Sequence, residues 1–128
     1  MAGRRGSSVP RPTRVSEYEI VFGDVAAERG WRDLRATAKN ALADAWDYLT
    51  AHPTRFDSSR CYQLKGNLST AVVGGRTLPV WQYKVTDGAR LRYAVDAPQP
   101  KGKKPGRVIL IEASPSHPND TDSSKNFR

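Results

Sequence analysis

The chain has 128 residues, a length that suits one domain with a single modest core. Its 21 lysines and arginines against 13 acidic residues leave a net charge of +8, which favours polyanionic partners such as nucleic acid. Cys61 is the single cysteine, so an intrachain disulfide is excluded, and no stretch approaches the roughly 20 apolar residues of a membrane span. We therefore expect a cytoplasmic protein without membrane contact.

The first 22 residues divide into a polar segment and a strand. Residues 1–16 are rich in Arg, Gly, Ser and Pro and show no period, so we predict a disordered basic tail rather than a nucleic-acid-binding arm. The sequence EYEIVF, residues 17–22, alternates in polarity and places Tyr18, Ile20 and Phe22 on one side. This alternation predicts a short strand.

Two stretches with helical spacing follow. Asp24 can cap the first helix, because its carboxylate can accept a hydrogen bond from a first-turn N–H. The second helix is predicted over residues 37–51, and Pro53 ends it. Since only a few residues join the two helices, they must pair as a helical hairpin, which we expect to pack across one face of a sheet.

Residues 54–96, about a third of the chain, are predicted to form turns and strands. Residues 54–77 contain a Gly74-Gly75 turn and could include a short strand over residues 71–73. Residues 78–96 then alternate between apolar and cationic side chains on both sides of Thr86-Asp87-Gly88. An Asp-Gly pair between alternating segments predicts a β-hairpin, in which Gly88 would supply the positive φ of a tight turn.

Residues 107–113, RVILIEA, form a nearly continuous apolar run, which is typical of a strand in the middle of a sheet. The predicted fold is therefore α+β, in the order β-α-α-β-β-β, with a mainly antiparallel sheet and the helical hairpin on one face. We assign residues 17–121 to this domain and residues 122–128 to a flexible C-terminal tail.

Three cations of the predicted hairpin are candidate site residues. Lys84 precedes the turn, and Arg90 and Arg92 follow it at positions that share one side of a strand. The structural alternative is a solvated sheet face, on which Arg92 would pair with Asp96 or Glu112.

Three further residues are candidates with a structural alternative each. Trp81 could stack on a base, or it could pack under the helices. Lys65 could bind a phosphate, although a lysine beside glycine is by default a surface residue. His117 lies in a proline-flanked turn, where it could serve as an acid or base, or cap the turn. A single cysteine and two distant histidines make no zinc site, so we expect neither metal nor cofactor.

The order of these elements resembles the RelE/ParE toxin superfamily of bacterial type II toxin–antitoxin systems. The resemblance covers residues 17–121. It is carried by FGDVAAERGWRDL, by YLTAHP at the end of the second helix, by Leu64-Lys65-Gly66, by the YKV and GARLRY segments of the hairpin, and by a histidine in the turn after the last strand.

The resemblance implies an activity and roles for the candidate residues. RelE-like members cleave mRNA in the ribosomal A site without a metal, by attack of the ribose 2′-oxygen on the adjacent phosphorus. Arg90 matches the arginine that contacts the scissile phosphate, and Lys84 matches one of two strand lysines. Gln82 and Thr86 are alternative positions for the other lysine. His117 matches the histidine that some members place in the last turn, where it would act as an acid or base.

The last turn also supports a different function. Other members of the superfamily carry an arginine and a terminal tyrosine there, and this chain has neither. The alternative is therefore a binding module without enzymatic activity, either a ParE-like inhibitor of DNA gyrase or a member that has lost nuclease activity. With either function the resemblance implies a cognate antitoxin as a partner, together with mRNA and the ribosome or with DNA gyrase.

Overall fold

The computed structural model describes residues 5–99 and 104–115. His117 and the predicted tail at residues 122–128 lie outside these residues. The elements of the described chain are β1 (Glu19–Phe22), α1 (Val25–Thr37), α2 (Lys39–Ala51), β2 (Cys61–Gln63), β3 (Thr70–Val73), β4 (Arg76–Lys84), β5 (Arg90–Asp96) and β6 (Arg107–Ser114), with a 3-10 turn (Gly66–Leu68) between β2 and β3. None of the helices within the described ranges is long and apolar enough to cross a membrane.

The six strands form one sheet with the order β1-β6-β5-β4-β2, and β3 also pairs with β4. Only the pair of β1 with β6 is parallel among the described strands, so the predicted α+β class and mainly antiparallel sheet are confirmed. β3 includes the short strand considered over residues 71–73. The predicted order counts three strands after the helices and so lacks both β2 and β3. The three residues of β2 are too few to show a period.

The predicted helical hairpin is confirmed. The Asp24 carboxylate caps α1, because its Oδ1 accepts a hydrogen bond of 2.7 Å from the N–H of Ala26. α2 begins at Lys39, two residues later than predicted, since Ala38 leaves the helical conformation between the two helices with φ −143° and ψ 51°. The hairpin covers one face of the sheet, with α1 lying over β6.

The main core lies between the helices and this face of the sheet. Gly30 allows the closest approach, because a Cβ at this position of α1 would overlap the carbonyl oxygen of Ala113 in β6. The buried members of this helix-side core are Ala27, Leu34, Leu42, Ala45, Leu49, Cys61, Tyr83, Val85, Ala89, Leu91, Tyr93, Val95, Val108, Leu110 and Ala113. Along β5 these members alternate with Arg90, Arg92, Ala94 and Asp96, so the opposite face of this strand is charged except at Ala94, which packs in a small second cluster with Leu78 and Ile109.

A tight hairpin turn connects β3 to β4. Gly74 and Gly75 have φ angles of +58° and +80°, and Val73 pairs directly with Arg76. Positive φ at both central residues is the requirement of the two-residue turn whose twist matches that of the strands. The predicted Gly74-Gly75 turn is confirmed.

The hairpin of β4 and β5 is also confirmed, but its turn is of another kind. The connection spans residues 85–89, and Gly88 is not among the described glycines with positive φ. The prediction that Gly88 supplies this conformation is therefore wrong. Thr86 closes the loop instead, because its Oγ1 accepts hydrogen bonds from the N–H groups of Gly88 (3.2 Å) and Ala89 (3.0 Å).

Arg11 and Arg14, in the segment before β1, both bind the carboxylate of Glu17. The guanidinium of Arg11 donates two hydrogen bonds to the carboxylate of Glu17, of 3.0 and 2.9 Å, and the N–H of Arg14 donates a third. The hydrogen bond with Arg11 and the backbone bond from Arg14 lower the pKa of Glu17 to about 2. Because the folded pKa is depressed, this contact is present at neutral pH and is lost as the pH falls through about 2.

The buried hydroxyl of Tyr93 links the segment after α2 to β5, in the middle of the sheet. The Tyr93 hydroxyl donates a hydrogen bond of 2.7 Å to the carbonyl of Pro53 and lies 3.2 Å from the Cys61 sulfur. Burial raises the pKa of Tyr93, so this hydroxyl stays protonated and can donate.

Replacing Tyr93 by phenylalanine is expected to lower the free energy of unfolding by about 1–2 kcal/mol, because the buried Pro53 carbonyl loses its stronger donor and keeps only the Cys61 thiol at 3.8 Å. Urea denaturation at constant slope measures this loss. Tyr18→Phe is the control, since the Tyr18 hydroxyl makes no hydrogen bond within the described residues, and we expect little change there. Equal stability of the two variants would contradict the role assigned to Tyr93.

Candidate functional site

The sheet face opposite the helices carries a continuous row of hydrogen-bonded side chains that crosses β2, β4, β5 and β6. This polar row consists of Tyr62, Gln82, Arg92, Glu112 and Ser114. Gln82 donates through Nε2 to the Tyr62 hydroxyl at 2.8 Å. Arg92 donates through Nε to Oε1 of Gln82 and through Nη1 to Oε1 of Glu112, both at 3.1 Å. Ser114 donates through Oγ to Oε2 of Glu112 at 2.9 Å.

A β-bulge in β6 places Glu112 in this row. Arg92 pairs with Glu112, but the next residue, Tyr93, pairs with Leu110, so Ile111 is an extra residue in β6. Without the bulge, strict alternation would put residues 110 and 112 on the same face. With it, Leu110 packs into the helix-side core while Glu112 reaches Arg92 on the other face.

Arg92 pairs with Glu112, and the other predicted partner, Asp96, pairs with Arg76 at 2.9 Å. The side chains of Arg92 and Glu112 retain 32% and 45% of their exposure, so water screens their attraction and the pair contributes little to stability. Its effect is geometric, because each carboxylate oxygen of Glu112 accepts one bond and the side chain is held in place. Arg92 is thereby held beside Arg90.

Lys84 and Arg90 form a pair of like charges directly beside the polar row. They are opposite each other in the antiparallel pairing of β4 with β5, and the neighbour of Arg90 in β6 is Ser114. Like charges in directly opposite positions destabilise a sheet. No acidic side chain within the described residues pairs with either cation. The arrangement would become favourable if an anion bound between them.

The guanidinium of Arg90 is held by the loop that follows β4. Its Nη1 donates to the carbonyl oxygens of Thr86 (3.1 Å), Asp87 (2.9 Å) and Ala89 (3.2 Å). Nε and Nη2 of Arg90 donate to no group within the described part of the chain. One edge of the guanidinium is thus anchored, and the other can donate two parallel hydrogen bonds to an anion.

The structure brings some of the predicted site residues together and separates others. Arg90 and Arg92 lie on one face, as their spacing predicted, and Lys84 shares this face because it pairs with Arg90. Trp81 packs against the helix-side core, on the other face of β4. Lys65 is exposed beside the 3-10 turn and takes no part in the polar row. His117 lies outside the described residues.

Sequence reasoning did not identify Tyr62, Glu112 and Ser114 as site residues. Tyr62 belongs to β2, the strand that the sequence did not predict. Glu112 and Ser114 end an otherwise apolar strand, and two polar residues at i and i+2 after such a run were a signal for a polar face. No group of three or more His, Cys, Asp or Glu side chains that could hold a metal ion lies within residues 5–99 and 104–115.

Two helices packed on one face of a six-stranded, mainly antiparallel sheet define the RelE/ParE-like toxin fold, so the predicted resemblance is confirmed at the level of the fold. The solved structure of a YoeB/ParE toxin from Agrobacterium tumefaciens matches with a TM-score of 0.54 and 14% sequence identity, over 75% of this chain and 96% of that chain. No protein-family model matches the sequence, and no curated protein sequence matches it.

Proposed function

We propose that this protein is a type II toxin that cleaves mRNA on the ribosome. One observation carries the proposal: Lys84 and Arg90 face each other without an acidic partner in the described residues, and Arg90 presents the unused edge of its guanidinium beside them. That arrangement suits an RNA phosphodiester, whose two non-bridging oxygens share one negative charge. The RelE/ParE-like fold supports the same proposal.

The chemistry needs no group beyond amino-acid side chains. The ribose 2′-oxygen loses a proton and attacks the adjacent phosphorus, and the 5′-oxygen leaves with a proton. Negative charge grows on the phosphoryl oxygens as the bond forms, and cations fixed in advance stabilise this charge most effectively. Arg90 would hold two phosphoryl oxygens, and Lys84 would lie beside them. His117 remains our proposal for the acid or base.

A second function is favoured by the state of Glu112. This residue is the one carboxylate of the polar row, and both of its oxygens already accept hydrogen bonds, from Arg92 and Ser114. The polar row therefore offers no carboxylate that is free of hydrogen bonds and could serve as a base. A binding module on the same fold, such as an inhibitor of DNA gyrase, needs the cations but no base.

The deciding experiment uses purified protein and ribosomes that translate a defined mRNA. We expect cuts within the coding region, mapped by primer extension, that require both the protein and the ribosome. Intact mRNA would refute the nuclease proposal. A parallel reaction with DNA gyrase and plasmid measures trapped cleaved complexes, and their accumulation with intact mRNA would support the second function.

A cognate antitoxin is the partner that this proposal requires. The net charge of +8 favours an acidic protein, since opposite charges accelerate association and suppress wrong partners. Co-expression with the product of an adjacent reading frame should restore growth and yield a complex that co-purifies. Undiminished growth without that product would count against toxicity.

A further inference from the structure

A depression adjoins the polar row on the same face of the sheet. It has a volume of about 130 Å³ and is mostly apolar. Its lining consists of Leu64, Asn67, Leu68, Thr70, Ala71, Val80, Arg92, Ile111 and Glu112. We call it the apolar depression. It lies beside the cations but takes no part in the phosphate contacts proposed above.

The pairing of the strands creates this depression. β2 and β3 both pair with β4, and the chain between them loops out as the 3-10 turn. The N–H of Leu64 donates to Val80, and the N–H of Val80 donates to Ser69, so both ends of the loop are tied to β4. On the opposite side, the bulge residue Ile111 extends the wall. The walls therefore come from strands and from a loop whose two ends are hydrogen-bonded to β4.

The apolar depression is continuous with the cation site. Arg92 and Glu112 line it, and they also line the shallow depression formed with Gln82, Arg90 and Ser114. A ligand that binds at Arg90 and extends along the sheet past Arg92 would therefore reach Leu64 and Val80 in the apolar depression. The combination of a cationic part and an apolar part fits an amphipathic anion.

The size and polarity of the apolar depression limit which ligands can bind there. A cavity of about 150 Å³ accommodates one benzene ring, so a depression of 130 Å³ suits a single flat ring rather than a peptide helix. Leu68 is 53% exposed at the rim, where it would cover a ring face. The side-chain amide of Asn67 makes no hydrogen bond within the described residues and could pair with the edge of a base.

We propose that the apolar depression binds one unpaired nucleobase of the RNA whose phosphate is held by Arg90. This inference rests on the proposed function, since it takes RNA as the ligand. Unstacked bases held against apolar side chains and read at their edges are the usual means of recognising single-stranded RNA. Asn67 would then contribute to the choice of base.

The test measures binding without cleavage. Short oligonucleotides with 2′-O-methyl riboses cannot undergo attack by the 2′-oxygen, and an abasic oligonucleotide of the same length carries the same charge. We expect the base-bearing oligonucleotide to bind about ten times more tightly, as stacking of one base allows. Fluorescence anisotropy at low salt gives both dissociation constants.

Two tryptophan variants locate the binding. Ala71→Trp would fill the apolar depression, so we expect it to abolish the tenfold preference and to leave abasic binding unchanged. Val72→Trp is the matched control, because Val72 is 73% exposed and points to the other side of β3. Circular dichroism and thermal melting establish that both variants fold.

The outcomes separate this inference from the proposed function. Equal binding of base-bearing and abasic oligonucleotides, or binding of neither at millimolar concentration, overturns the inference. An equal effect of the two tryptophan variants overturns the location. If only Ala71→Trp removes base-dependent binding, the inference is supported. If the same protein also leaves translated mRNA intact, the nuclease proposal fails but the inference about base binding stands.

Discussion

Replacing Arg90 by alanine is expected to slow cleavage of translated mRNA by about 10²–10³-fold, the usual cost of removing one fixed donor to a developing negative charge. The guanidinium is anchored through Nη1 to three loop carbonyls, so it is already oriented before RNA binds. Single-turnover cleavage on ribosomes measures the effect. Because the donor acts on the transition state, the loss should appear mainly in the rate constant rather than in RNA binding.

Two further variants distinguish a phosphate clamp from a general charge effect. Arg90→Lys keeps the charge but cannot donate two parallel hydrogen bonds, so we expect it to recover only a small part of the rate. Arg29→Ala removes an equal charge from the exposed face of α1 and should leave the rate unchanged. Full activity of the lysine variant would contradict the clamp.

Replacing Gly30 by alanine should destabilise the fold by about 3 kcal/mol, near the upper end of the usual cost of overpacking. The new Cβ would overlap the carbonyl oxygen of Ala113 and would lie 2.8 Å from its carbonyl carbon, so the backbone of α1 or β6 must move. In a solvated helix the same change stabilises by about 1 kcal/mol. The sign of the change in unfolding free energy therefore reports whether α1 contacts β6 this closely.

Urea denaturation gives this value, and Ala36→Gly on the exposed side of α1 is the control. That reverse substitution should cost no more than about 1 kcal/mol, because helix propensity applies in full only to a helix interior and Ala36 is the penultimate residue of α1. Ala113 adjoins Glu112 and Ser114 of the polar row, so Gly30→Ala should also impair RNA binding. A stabilised Gly30→Ala protein would show that α1 and β6 are too far apart for this overlap to occur.

The local elements were predictable because their signals are local. The cap at Asp24, the turn at Gly74-Gly75 and the apolar run of β6 each depend on a few consecutive residues. The wrong conformation assigned to Gly88 shows the limit of such signals. An Asp-Gly pair favours a tight turn, but the pairing of Lys84 with Arg90 leaves five residues to connect, and the side chain of Thr86 closes this wider loop.

By itself the sequence determined that Arg90 and Arg92 share one face of β5, since side chains alternate along any strand. Lys84 shares that face only because a five-residue connection pairs it with Arg90, whereas the predicted two-residue turn would have paired it with Leu91. Tertiary structure alone decided which partners they meet. Glu112 reaches Arg92 because a single extra residue, Ile111, shifts the register of β6, and Trp81 faces the helices because β4 lies beneath them. Register and layer order depend on contacts between residues far apart in the chain, and no local pattern encodes them.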